Sequence, residues 1–206
     1  MIDKNGHEKA VQIDAAARIS PRKLAHAVFR TVNRYTEMIN WYCTVLNAHK
    51  VFESEQITFL SYDDEHHRIA IAWQPDLNPR EKRSVGLDHL AFTYVSIGDL
   101  MSTYRRLKAE GIKPFCSVNH GPTTSLYYHD PDGNRIELQI DNFDDMVDAT
   151  NKMKASFPIN PVGVLFEPDE VVEQITMGAD AHLLKIGPTA EVLPPTEELI
   201  CKLNSD

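Results

Sequence analysis

One short stretch of this chain is written twice. Lys23-Leu-Ala-His26-Ala-Val-Phe29 and Gly86-Leu-Asp-His89-Leu-Ala-Phe92 place a His three residues before a Phe, 63 residues apart. Each His is followed by a short apolar run and then by an amphipathic helical stretch. An internal repeat constrains the fold strongly, because a unit too small to bury its own apolar face must pack against its copy. Within 206 residues the repeat defines two small units and a remainder, enough chain for a sizeable core.

In the first copy, residues 24–29 read as a strand, and Asn33 is a suitable N-cap for the helix that follows. Tyr35, Met38, Ile39, Tyr42 and Leu46 recur at helical spacing, and residues 51–53, 57–62 and 69–73 read as three short strands. The second copy repeats this order. Residues 87–95 form a strand, Ser96 and Asp99 a capping-box start, and Ile97, Leu100, Met101, Tyr104 and Leu107 the apolar helix face, with Gly111 as the stop. Strands follow at 114–118, 125–129 and 135–140. Phe52 and Phe115 keep the 63-residue offset, whereas Arg68-Ile69 matches Arg135-Ile136 at 67, so four extra residues fall around 119–124. The expected fold is α+β: two tandem βαβββ modules forming one metal-bearing domain, with a C-terminal helical or irregular extension. The expected limits are an N-terminal arm at 1–20, modules at 21–75 and 84–141, and an extension at 142–206. In the extension, helices are expected near 144–154 and 169–176, with an irregular stretch at 187–195. It has too little apolar material to stand alone, so it should pack on the modules or on a partner subunit.

A net charge of -9 argues against a phosphate-backbone partner, which calls for clustered Lys and Arg. No run approaches the ~18 apolar residues of a membrane span, and the polar start does not read as a signal peptide. Cys43, Cys116 and Cys201 are odd in number and widely spaced, giving neither a disulfide framework nor a zinc motif. The expectation is a cytoplasmic protein with no nucleic-acid or membrane partner.

The chemistry resides in the repeat. His26 and His89 hold the same repeat position, and Asp130-Pro-Asp-Gly-Asn-Arg-Ile-Glu137 sets a carboxylate on a strand just after a tight turn. Two imidazoles and one carboxylate, with open positions left over, suit Fe(II) or Mn(II). His26, His89 and Glu137 are therefore the expected metal ligands. The alternative is that each His is merely tolerated on its strand, which for a lone His would be the better reading. His7, His49, His129 and His182 read as outward-facing, Trp41 as core, and Trp73 as ending a strand near the pocket.

The motifs around His89, around His66-His67-Arg-Ile-Ala-Ile71 and from Tyr127 to Glu137 resemble the vicinal oxygen chelate superfamily, and within it the single-domain type I extradiol ring-cleavage dioxygenases. The likeness covers roughly residues 22–141. It implies a catecholic small-molecule substrate and O2, an Fe(II) or Mn(II) cofactor, and a homo-oligomer. It implies too that His67 is the acid–base residue, that Tyr127, ten residues before Glu137, donates to a substrate oxygen, and that His120 steadies the bound dioxygen or substrate. Aligning the last strands at offset 67 puts Ala70 opposite Glu137. Glyoxalase I-like sites draw a ligand from each of four equivalent positions, so Ala70 leaves coordination places open and favours oxygen chemistry. The other possibilities are a glyoxalase-like isomerase or thiol transferase, and a non-catalytic small-molecule-binding member.

Overall fold

The computed structural model describes residues 18–79, 81, 84–180, 184–185 and 194–204. Most of the expected arm, most of the stretch at 187–195, His7 and His182 lie outside them. The first module runs β1 (Ala27–Thr31), α1 (Tyr35–Leu46), β2 (His49–Glu53), β3 (Ile57–Ser61) and β4 (Ile69–Trp73). The second runs β5 (His89–Thr93), α2 (Ile97–Ala109), β6 (Cys116–Asn119), β7 (Thr123–His129) and β8 (Arg135–Asp141). The order within each sheet is the same: β1-β4-β3-β2 and β5-β8-β7-β6, with the first and last strands of each module parallel. The duplication in sequence is thus a duplication of topology.

Helix α1 buries Met38, Ile39, Tyr42, Val45 and Leu46, one stripe at a 3.6-residue period. Its N-cap is Arg34, not Asn33, and no side chain caps it. Thr31 takes up the Arg34 amide through its Oγ1 at 3.3 Å, so the turn out of β1 closes one residue later than expected. Helix α2 starts as expected: Ser96 Oγ accepts the Asp99 amide at 3.1 Å. It ends at Gly111, whose φ of 83° lies in the left-handed region that glycine tolerates.

The inner faces of both sheets and both helices share one core. Phe29, Leu60, Ile69 and Ile71 come from the first sheet, and Leu126, Tyr128, Ile136, Leu138 and Ile140 from the second. Two contacts tie the modules together across it. Tyr42 Oη donates to the buried Asp130 carboxylate at 3.0 Å, and Arg106 donates to the Thr44 and Val45 carbonyls at the open end of α1. A cation at a helix C-terminus satisfies the last carbonyls and complements their dipole.

The extension comprises α3 (Met146–Ser156), β9 (Val164–Leu165), α4 (Pro168–Thr176) and α5 (Glu197–Asn204). Strand β9 adds to β6 as a fifth strand of the second sheet. Helix α4 lies on α2, with Asp169 accepting from Tyr104 and Lys108. Helix α5 drives Leu199, 0% exposed, against Cys116, Val118 and Tyr127. The β6–β7 part of the outer face of the second sheet is therefore covered, while Ala91 and Thr93 on β5 stay exposed. In the first sheet the matching edge strand β2 is exposed along its whole length.

Candidate active site

The pairing register decides which side chains can meet. In the second module Ala91 and Tyr127 both pair with Glu137, one on each side. Directly paired residues share a sheet face, and His89 joins them because it lies two residues before Ala91. His89 Nε2 stands 3.0 Å from Glu137 Oε2. Tyr127 Oη donates to the other carboxylate oxygen at 3.0 Å and lies 2.9 Å from His120 Nε2. His89 Nδ1 donates to Asp88 at 2.6 Å, and Arg135 reaches Asp88 from the other side at 3.3 Å. The result is a continuous run from His120 through Tyr127, Glu137 and His89 to Asp88.

Glu137 is only 4% exposed, an expensive place for a charge. Burial works to raise its pKa, but the hydrogen bonds and charge around it, His89 foremost, hold it below the ordinary value. The reciprocal effect lifts His89 to about 9, through the Glu137 hydrogen bond and then Asp88. Burial, reinforced by the Glu137 carboxylate, pushes the Tyr127 phenol far up, so it stays a neutral donor. Burial lowers His120.

The hairpin bearing His120 is where the two modules differ. Phe52 pairs with Phe59 seven residues on, whereas Cys116 pairs with Tyr127 eleven residues on, so the second hairpin is longer by four. Asn142 locks the longer turn: its Nδ2 donates to the Gly121 carbonyl at 2.8 Å, and its Oδ1 accepts from Thr124.

The same register exposes the asymmetry of the first module. Val28 pairs with Ala70, and Ala70 with Phe59, just as Ala91 and Tyr127 pair with Glu137. Ala70 thus occupies the Glu137 position and Phe59 the Tyr127 position. His26 stands one residue before β1, which begins at Ala27 and not at 24. Its ring lies 4.4 Å from that of His67, which also stacks on Phe59 at 4.7 Å and meets His66 Nδ1 at 2.6 Å. Partial burial, then His26 and His66, lower the His67 pKa. Arg68 clips this hairpin to the segment before His26, donating to the Leu24 and Ala25 carbonyls at 3.0 and 3.1 Å while gripping Asp63. That clip had no signature in the sequence.

The expected residues thus stand in two groups: His89, Glu137, Tyr127 and His120 in one, His26 and His67 in the other. Among the described residues no group of three or more His, Cys, Asp or Glu is close enough to hold a metal ion. The second-module donors fit a divalent metal in kind. An imidazole and a carboxylate converge, each held from behind by a partner of the sort that orients metal ligands. His49 and His129 are exposed, the latter stacked on Phe115 at 4.1 Å. Trp73 gives its Nε1 proton to the Val32 carbonyl. No helix among the described residues is long and apolar enough to cross a membrane.

Residues 23–138 match the family model described as Glyoxalase/Bleomycin resistance protein/Dioxygenase superfamily. Biphenyl-2,3-diol 1,2-dioxygenase 2 of Rhodococcus globerulus is 46% identical over 158 residues, 76% of this chain and 83% of that protein. Biphenyl-2,3-diol 1,2-dioxygenase 3 of the same organism is 44% identical over 163 residues, 78% of this chain and 85% of that protein. Among solved structures, a glyoxylase/bleomycin resistance protein/dioxygenase domain from Frankia sp. EAN1pec aligns with a TM-score of 0.49 and 18% identity, over 59% of this chain and 93% of that one.

Proposed function

The chain belongs to the Glyoxalase/Bleomycin resistance protein/Dioxygenase superfamily, and we propose that within it the chain is an extradiol dioxygenase acting on a catecholic ring. The relatives' names specify cleavage of the bond beside the diol, not between its hydroxyls. The observation that carries the reading is the His89–Glu137 contact at 3.0 Å, with Tyr127 on the second carboxylate oxygen. His89 and Glu137, with His26 brought in from the other group, would hold a non-haem Fe(II), with Mn(II) as the other ion such donors accept. When bound, the ion supplies a centre at which a diol and O2 are brought together and exchange electrons.

The side chains have separate tasks. Asp88 accepts a hydrogen bond from His89 Nδ1–H, which holds Nε2 as the nitrogen facing Glu137. Tyr127, held neutral, donates its one proton to Glu137 here; turned from that carboxylate, the same hydroxyl would donate to a substrate oxygen. The lowered pKa of His67 keeps it uncharged near neutrality, so it can accept a phenolic proton. With its proton on Nδ1, donated to His66, Nε2 is the accepting atom, and the stack with Phe59 and His26 restrains the ring. Helix α5 and Leu165 shield the Tyr127 side of the second-module face from water. Ala70 at the Glu137-equivalent position argues against an isomerase that needs a fourth protein ligand. The proposal includes a cytoplasmic location, consistent with three unpaired thiols, and a homo-oligomeric assembly.

The test is reconstitution with Fe(II) under anaerobic conditions, then air and a panel of catechols that includes biphenyl-2,3-diol. Yellow ring-opened product with equimolar O2 uptake is expected. A fully iron-loaded protein that cleaves none of the panel would overturn the reading. Metal content after dialysis should fall towards zero in His26→Ala, His89→Ala and Glu137→Ala. Tight stoichiometric iron in any of them removes that residue from the ligand set.

A further inference from the structure

We propose that the turn at residues 160–163, in the C-terminal extension, is a positioning element of the active site, with Asn160 as its organising residue. The catalytic part of this inference rests on the dioxygenase reading. Asn160 is 3% exposed and folds the turn around its own amide. Its Oδ1 accepts from the Val162 and Gly163 amides at 3.0 and 2.7 Å, and its Nδ2 donates to the Gly163 carbonyl at 2.8 Å. The turn so formed brings the Val162 carbonyl onto His120 Nδ1. A carbonyl can only accept, so this contact requires the proton on Nδ1 and leaves Nε2 to face the Tyr127 hydroxyl 2.9 Å away.

Gly163 makes the close approach possible. Its φ of 111° is open to glycine, and a Cβ there would clash with the Asn119 carbonyl and lie 2.7 Å from His120 Cα. The turn thus presses on the backbone that bears His120 and also dictates which nitrogen of that ring meets Tyr127. The single proton of Tyr127 stands between two acceptors, Glu137 Oε1 and His120 Nε2. A ring free to swap tautomers or to turn would change which of them it serves.

Kinetics in the iron-loaded full-length enzyme and imidazole 15N NMR of the full-length chain together test this. The His120 signals are assigned by their loss in His120→Ala. Asn160→Ala should lower kcat about tenfold with KM changed less than twofold, and move His120 from the pure Nδ1–H tautomer to a mixture. In the His120→Ala background the same change should have no further effect on kcat, as expected when one residue acts through another. Asn160→Asp keeps the two acceptor contacts but sets an oxygen in place of Nδ2 against the Gly163 carbonyl, so it should recover part of the rate and of the tautomer signal; it also serves if the Ala variant fails to fold. Equal losses of kcat in both backgrounds, or an unaltered His120 tautomer in Asn160→Ala, overturn the proposal. If the wild-type protein cleaves no catechol, the dioxygenase reading fails. The tautomer measurement alone then decides, upholding the turn if it shifts and overturning it if it does not.

Discussion

Introducing a carboxylate at Ala70 tests the asymmetry of the two modules. Ala70 is 0% exposed and occupies the position of Glu137. His26 lies two residues before Val28, the partner of Ala70, as His89 lies two before Ala91, the partner of Glu137. A Glu at 70 should therefore have His26 within reach. If it has no partner, it must stay neutral at pH 7 although its unfolded pKa is about 4.3, a cost of roughly 3.7 kcal/mol at 1.36 kcal/mol per unit. At about 2–4 °C per kcal/mol for a chain of this size, that lowers Tm by roughly 7–15 °C. Paired with His26, it should lower Tm by only a few degrees. The pH windows differ, because stability falls with rising pH wherever the folded state holds the extra proton. An unpaired Glu loses stability from about pH 4.3 upwards. A His26 raised by its new partner contributes below about pH 6.5 and loses that contribution as pH rises through its folded value. Thermal melts of Ala70→Glu at pH 4, 6 and 9, with metal content and turnover, separate the cases. In the metal-free protein, pairing with His26 predicts near-wild-type melting at pH 6 and a fall towards pH 9; with the metal bound, a Glu on the site face should occupy a coordination place, so that metal is retained and ring cleavage suppressed. Wild-type melting at all three pH values together with normal turnover would refute the assignment of position 70 to the site face.

His67→Gln should keep its metal and lose turnover by ~10²–10⁴-fold, the usual worth of a positioned acid or base, and rates near wild type across the pH range would exclude that role. Tyr127→Phe should lower stability by about 1–3 kcal/mol, since a hydrogen bond to the buried Glu137 is lost, and an unchanged Tm would show that the hydroxyl contributes nothing to the fold. Tyr42→Phe should destabilise more at pH 7 than at pH 4. Burial raises Asp130 and the Tyr42 hydrogen bond lowers it, so without that donor the folded carboxyl binds its proton more tightly and stability falls as pH rises. Urea titrations of both proteins at the two pH values check this, and equal losses would count against a charged Asp130.

The parts of the site that were legible in the sequence are those governed by local periodicity. The change of offset from 63 to 67 placed the longer hairpin around His120; Tyr127, ten residues before Glu137, was legible only through the family resemblance, and the tight turn sets the two side by side across β7 and β8. What stayed hidden depends on contacts between distant segments. His26 could be aligned with His89, but β1 starts only at Ala27, and Arg68 holds the preceding segment against the His67 hairpin. Neither effect has a periodic signal. The role of Asn160 was invisible for the same reason, since an Asn between prolines and apolar residues reads as an ordinary loop. The N-cap of α1 was misplaced because propensity favours Asn33, whereas Thr31 reached the Arg34 amide first.

The bare edge at β2 has a consequence for how concentrated this protein can become. An open strand edge is a template on which a foreign strand can grow, and Val51 and Phe52, each about half exposed, make this one adhesive. Two features blunt it: the pairing of β2 with β3 slips between Lys50 and Phe52, kinking the edge, and Lys50 and Glu53 form a charged pair at 2.6 Å. The opposite sheet needs neither, because β9 already covers β6. At these two edges the open strand is managed differently, by a covering strand at β6 and by a kink and two charges at β2.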